Sequence, residues 1–464
     1  MTSTVRDTTP AVDAMTVDDP MIQALLGGTT AMRDAQKTFL PQWPNEDGDA
    51  YANRVKTATL FPAFSRTVEV LTGKPFSKPI AFGDDVPEQI QEWCQDIDLQ
   101  GHNLDEFGAA VTYHAISHGL CGILVEYPTT QGKIRTKADE KAAGVRPYFV
   151  HIHKKDILGW RAERINGQLT LTQFRFLESV TEPDGTFGEK IIEQVRVLYP
   201  GRWEVWRESE TEEENGKKKW VLYDEGATTL SKIPYVPVYG KRTGYMQGVS
   251  PLVELAHMNV EHWQSKSDQQ TILHVARIPI LFAKLLDGAP ITIGASSAVK
   301  AEAPDADLKY VEHSGKAIEA GAKELAALED RMRQSGAELL VVKPGNTTVV
   351  QTQADNEVGM CVLQRIAHAV EDALDAAIQL AAEWVGEKEG GHITVFKDFG
   401  VASLEAASLE LLRDMNVDGT FSDESLFREA QRRGVIGPDV QWEDEKKRIA
   451  QNVPKGEPQL KLSD

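Results

Sequence analysis

The hydrophobic pattern of the chain changes period twice. From Ala50 to His118 apolar residues recur at helical spacing: Tyr51, Val55, Phe64, Val68 and Leu71, then Ile90 and Trp93, then Leu104, Phe107, Val111 and Ile116. Gly119 ends the last of these helices and Cys121 to Tyr127 follows as a strand, with Gly119 and Gly122 flanking it. From Pro147 to Tyr223 the period shortens to two. Tyr148 to His153, Phe174-Arg175-Phe176, Val195-Arg196-Val197 and Trp203 to Trp206 alternate, and turns are marked by Asn166-Gly167, Asp184-Gly185, Pro200-Gly201 and Asn215-Gly216. This predicts an antiparallel meander with one wet face.

Helical spacing returns at Gly248-Val249-Ser250-Pro251, where Ser and Pro suit an N-cap and first turn. The helix predicted over 249–279 carries a narrow apolar face among many polar positions, which suits neighbours on two sides, and Pro279 ends it. Residues 280–315 lack helical periodicity and carry Ile291-Thr292-Ile293 as a strand. A second helix over 316–336 places Ile318, Gly321, Leu325, Leu328 and Met332 on one stripe. An irregular loop over 337–356 contains the turn Pro344-Gly345-Asn346. A long helix over 357–388, starting at about Glu357, would span roughly 45 Å. A short strand within 389–401, helices over 402–450 and a tail over 451–464 complete the chain. Residues 1–50 form an N-terminal arm whose first 20 residues, rich in Thr, Asp and Pro, read as mobile, with a short helix from Met21 to Met32. Helices and meander together fill 51–248, and the fold class is α+β.

Charge narrows the function. The formal net charge is −20, from 50 Lys+Arg against 70 Asp+Glu. A protein that grips nucleic acid carries a basic surface. An acidic one suits a duplex that must slide past without sticking. Cys94, Cys121 and Cys361 are odd in number and scattered, as expected of free buried thiols in a reducing cytoplasm. No stretch approaches the ~18 apolar residues of a membrane span, and no signal pattern opens the chain. The expectation is a soluble protein made in the cytoplasm, with no membrane partner.

Catalytic patterns are missing. The sequence contains no phosphate-binding P-loop, no H-E-x-x-H, no paired C-x-x-C and no G-x-S-x-G. Asp398-Phe399-Gly400 spells a kinase tripeptide without the glycine-rich loop or H-R-D stretch that gives it meaning. His114 and His118 lie one helical turn apart, but the sequence places no third ligand near them, so a structural role is expected and no metal or cofactor. Phe174, Phe176, Trp203 and Trp206 have the composition of a base-stacking platform; strand-core packing is the simpler expectation.

Several stretches resemble the portal proteins, or head–tail connectors, of tailed bacteriophages, of the short-tailed-phage type. They are YANRVKTATLFPAFSRTVEVLTGKPFSK (51–78), LDEFGAAVTYHAISHGLCGILVEYP (104–128) and GVSPLVELAHMNVEHWQSKSDQQTILHVARIP (248–279), together with Lys397-Asp398-Phe399, Asp418 to Ser422 and Arg433-Gly434-Val435. The resemblance runs from about Tyr51 to Ile449 and lies in the order of elements, not in a catalytic signature. It implies a wing (51–248, with a returning strand at 389–401), stem helices at 249–279 and 316–336, a clip at 280–315, a tunnel loop at 337–356, a spine helix at 357–388 and a helical crown at 402–450. It further implies a non-enzymatic subunit of a twelve-membered ring at one capsid vertex of the virion, assembled in the host cytoplasm. Double-stranded DNA would pass through the ring during packaging, retention and ejection. Terminase, tail or adaptor proteins and capsid protein would be its partners. Lys343, Asn346, Thr347 and Thr348 would then face DNA, and Lys284, Asp287, Lys300 and Lys309 would meet the motor or adaptor. A nucleic-acid-processing enzyme of the packaging machinery and another head–tail adaptor are the alternatives.

Overall fold

The computed structural model describes residues 4–128, 144–214, 217–277, 280–284, 305, 307–311, 315–340, 360–397, 422–424, 426–427 and 442–451. Short helices α1 (Pro10–Met15), α2 (Asp19–Leu26) and α3 (Gly28–Asp34) come first, then α4 (Gly48–Thr57) and α5 (Ala63–Gly73). Strand β1 (Ala81–Phe82), helix α6 (Glu88–Trp93) and helix α7 (Leu104–His118) lead into β2 (Leu120–Glu126) and β3 (Tyr148–His153). A run of strands follows: β4 (Ile157–Ile165), β5 (Gln168–Asp184), β6 (Gly188–Tyr199), β7 (Arg202–Glu214), β8 (Lys217–Ala227), β9 (Tyr235–Tyr239), β10 (Lys241–Gly244) and β11 (Gln247–Val249). The remaining elements are α8 (Val253–Ala276), β12 (Ile280–Lys284), β13 (Asp307–Val311), α9 (Lys316–Ala337), α10 (Val362–Val385), β14 (Ile393–Thr394) and α11 (Trp442–Gln451). The fold is α+β. Contacts divide it into two units, Met1–Phe396 and Lys397–Asp464. In the second, the Phe427 ring lies 5.2 Å from that of Trp442 on α11.

The meander forms over β4 to β8, whereas Tyr148 to His153, expected within it, pairs as β3 with β2 in a separate sheet of order β3-β2-β9. Strands β4 to β8 pair in sequence order, all antiparallel. Asn166 and Gly167 bridge β4 and β5 with φ of 51° and 84°, the positive pair that a tight two-residue hairpin needs. Gly185 and Gly201 supply positive φ at the next two turns. Phe174 and Phe176 are fully buried in the core, with Trp203 packed against the same cluster and Trp206 against a smaller one. These rings are packing, not an open stacking platform.

Helix α7 carries a capping box, Asn103 accepting from the Glu106 amide and Glu106 answering the Asn103 amide. Its end is set by Gly119 at φ 85°, where a Cβ would sit 1.9 Å from the Val249 carbonyl carbon. Gly122 lies inside β2 instead of flanking it. The Tyr235 ring occupies the place of its missing Cβ, at 2.2 Å, so the strand continues through a glycine that makes room for an aromatic.

The reading of residues 1–20 as a mobile arm is corrected for residues 4–20. Val12 and Met15, one turn apart on α1, are 2% and 5% exposed and join the meander core. Thr9 donates its amide to the Leu158 carbonyl at 3.0 Å, and the Arg175 guanidinium donates to the Val5 carbonyl at 2.6 Å. Two apolar side chains and a waiting sheet suffice to order a segment whose composition alone reads as loose. Lys154 fastens α2 in turn: its ammonium donates to Asp19 at 2.8 Å and to the His118 carbonyl at 3.0 Å, all of it buried.

Two helix starts also differ from the periodicity. Ser250 accepts from the Leu252 amide at 3.0 Å and donates to the Ile116 carbonyl at 2.8 Å, and α8 begins only at Val253, after a turn. Helix α10 begins at Val362, not near Glu357, because Cys361 takes the N-cap and Gln364 closes a capping box on it. Its 24 residues span about 36 Å.

Candidate functional site

Among the residues singled out from the sequence, Lys343, Asn346, Thr347 and Thr348 lie outside the described residues, as do Asp287 and Lys300, the strand proposed at Ile291 to Ile293 and the Asp398 tripeptide. Lys284 and Lys309 are described, and the fold brings them to one ribbon. Strands β12 and β13 pair antiparallel with Lys284 opposite Asp307 and Phe282 opposite Lys309. Residues opposite each other on a ladder share a face. That face therefore includes Phe282, Lys284, Asp307 and Lys309, with the Ile280–Val311 pair next along it. Lys309 lies 3.4 Å from Asp307 and 5.6 Å from the Phe282 ring centre, and Phe282 remains 45% exposed. The cations were visible in the sequence, but Phe282 and Asp307 were not, since the pairing of β12 with β13 has no local signal.

This ribbon joins the far ends of α8 and α9, which pack on each other as a hairpin. The near half of the hairpin is well embedded. Asn259 accepts from the Phe64 amide and donates to the Phe61 carbonyl, both at 2.9 Å. Toward the far half, Gln269 donates to the Ile318 carbonyl at 2.9 Å where Gly321 leaves room for it, a contact between the two helices themselves. His262 reaches Glu329 at 3.2 Å, and burial holds this imidazole below its usual pKa against the carboxylate's pull. Trp263, Leu328 and Met332 are fully enclosed. The far half is different. Among the described residues, none from 270 to 277 on α8 and none from 317 to 327 on α9 is buried. Ile272 is 37% exposed, and Ile318 and Leu325 are only half-covered.

Beside the near half, α8, α9 and α10 enclose a groove of about 910 Å³. Met258, Leu339 and Ile366 give it an apolar floor, and Arg242, Arg331 and Arg365 give it cations. Val362 also lines it.

A second cluster lies between α7 and the small sheet β3-β2-β9. The structure supplies what the sequence did not place: β3 brings His151 and His153 against His114, with ring centres 4.7 Å and 4.0 Å away. His118 stacks on His114 at 5.6 Å. Burial is the main cause that lowers all these imidazoles, His114 to about 4 and His118 to about 3, with neighbouring imidazoles and Lys155 adding to it. They are neutral at physiological pH. The i, i+2 spacing of His151 and His153 was the available signal, and pairing it with His114 required knowing that α7 covers that face of β3.

Comparison with known proteins adds the following. A family model described as a domain of unknown function (DUF4055) matches residues 251–385. No curated protein matches the chain. Among solved structures, the neck of an empty GTA particle computed with C6 symmetry is 14% identical, covering 82% of this chain and 91% of that one, with a TM-score of 0.43. The virion of a native gene transfer agent (GTA) particle is 13% identical over 86% of this chain and 97% of that one, with a TM-score of 0.40. The neck of a native GTA particle computed with C12 symmetry is 13% identical over 82% and 91%, with a TM-score of 0.39.

Proposed function

We propose that this chain is a structural subunit of a portal-type ring, a channel through which double-stranded DNA passes at one vertex of a virus-like capsid. One observation carries the reading: among the described residues, the far half of the α8–α9 hairpin has no third layer. Two antiparallel helices alone leave their apolar stripes half in water, and a stable architecture covers them with another element. Ile272, Ile318 and Leu325 are the side chains left partly uncovered. Copies of the same hairpin, set side by side, cover them through head-to-tail contacts that close into a ring. The order of elements supports the same reading, since helix, ribbon, helix, intervening segment and long helix follow as in the portal family the sequence resembles.

In this reading the acidic chain, at −20, lines a bore that repels phosphate and lets the duplex slide. The exposed ribbon face of Phe282, Lys284, Asp307 and Lys309 docks terminase during packaging and an adaptor or tail protein afterwards. An exposed aromatic is a common anchor of protein interfaces, which supports this assignment. Capsid protein holds the ring at its vertex, and Lys343, Asn346, Thr347 and Thr348 meet the DNA. No catalytic role is assigned.

Deleting Pro344 to Thr348 tests this assignment. Rings are expected to assemble as in the parent protein, whereas DNA packaging and retention in reconstituted heads fall. Loss of rings on the deletion would make the segment structural and overturn its assignment to the bore.

A further inference from the structure

Helix α7 and strand β3 run in the same direction, and each turns histidines toward the other. On α7, Phe107, Val111, His114 and His118 follow one stripe; on β3, Phe149, His151 and His153 share a face by strand alternation. The stripes meet in register. Phe107 lies 5.7 Å from Phe149 and 6.2 Å from His151, and His114 then lies between His151 and His153. One imidazole nitrogen from each of His114, His151 and His153 is within 4.8 Å of the other two.

The hydrogen bonds show where lone pairs are available. His114 Nδ1 is 3.1 Å from the Ala110 carbonyl, which only accepts, so Nδ1 carries the proton and Nε2 the lone pair. His151 Nε2 is buried and has no hydrogen-bond partner among the described residues. A buried polar atom left unpaired asks for an explanation, and an ion is one of the few that fit. His118 lies outside this set of three nitrogens. Ser117 Oγ donates to the Tyr113 carbonyl at 2.7 Å and so accepts from His118 Nδ1 at 2.9 Å, and the His118 ring stacks on that of His114 at 5.6 Å.

We propose that His114, His151 and His153 form a binding site for a divalent transition-metal ion of the zinc class, with the fourth position open to water. Three imidazoles without a carboxylate select zinc, nickel, cobalt or copper over magnesium or calcium. The Ala110 carbonyl is the outer partner that orients His114, as metal-bound histidines require. Bonds of about 2.1 Å bring tetrahedral ligand nitrogens to about 3.4 Å apart, a closure that rotation of the imidazoles supplies. The ion would clamp α7 to β3, which is an edge strand of its sheet. The site does not depend on ring formation.

The test uses the untagged full chain stripped with EDTA and titrated with zinc by calorimetry, and with cobalt by visible absorption. The expected result is one tight equivalent per chain, a tetrahedral cobalt band, and a melting temperature raised by a few degrees and restored by chelator. His151→Phe and His114→Gln keep the bulk of the cluster and are expected to weaken binding by about 100-fold, while His118→Phe keeps the equivalent. Absence of a tight equivalent or of the cobalt band in the parent protein overturns the site. So does retention of both in His151→Phe and His114→Gln. Should either variant fail to fold, the stoichiometry and spectrum of the parent decide.

Discussion

Replacing Lys154 by Met is expected to lower unfolding stability by about 3–5 kcal/mol. Lys154 is 3% exposed and Asp19 4%, so neither charge has water to fall back on. The ammonium satisfies Asp19 Oδ1 and the His118 carbonyl, while Asp19 Oδ2 has no hydrogen-bond partner among the described residues. Burial holds the Asp19 carboxyl above its ordinary pKa even with the lysine pulling it down. Without the lysine, the carboxyl either stays ionised and unpaired or takes up a proton, and both outcomes disfavour the folded state. The double variant Lys154→Met with Asp19→Leu recovers most of the loss, because a buried ion pair is worth little more than well-packed apolar groups of its size. Urea midpoints of the parent, the two single variants and the double variant measure this. A single-variant cost below about 1 kcal/mol would mean that water reaches the pair and that α2 is not anchored as described.

Acid is expected to destabilise the chelator-treated protein well before its carboxylates titrate. His114 and His118 are held at about 4 and about 3, against an unfolded value near 6.5. The sign follows from which state takes the proton. Between the folded and unfolded pKa values the unfolded chain binds protons that the folded chain refuses, so stability falls as pH drops through 6.5 toward 4. Each such histidine contributes a slope of about 1.4 kcal/mol per pH unit in that window, and the pair about twice that. Denaturant midpoints at pH 7.5, 6.5, 5.5 and 5 read the slope. A double variant with His114→Gln and His118→Gln makes it shallower, His151 and His153 supplying the rest, and a flat profile in the parent would show that the imidazoles are hydrated.

Much of the fold was legible in the sequence where one signal dominated. The meander is set by a period of two and by turn pairs such as Asn166-Gly167 whose φ values only certain residues tolerate. Helix α7 has its capping box and its glycine stop. Legibility ended where distant residues decide. The burial of Val12 and Met15 depends on β-strands more than 140 residues away, and no local pattern announces it. Gly122 reads as flanking its strand until Tyr235 is seen to fill its place. The candidate sites follow the same rule. Lys284 and Lys309 were visible as charges, but the face they share with Phe282 and Asp307 exists only through strand pairing. His114 and His118 were visible as a pair, but the partners that change their meaning come from β3.

The central claim concerns association, and the mass of the purified full chain in solution addresses it. Native mass spectrometry, paired with axial views by electron microscopy, is expected to show a closed ring of one defined subunit number around an open centre. A single 464-residue chain at every protein and salt concentration, with the flanks of α8 and α9 facing only water, would contradict it.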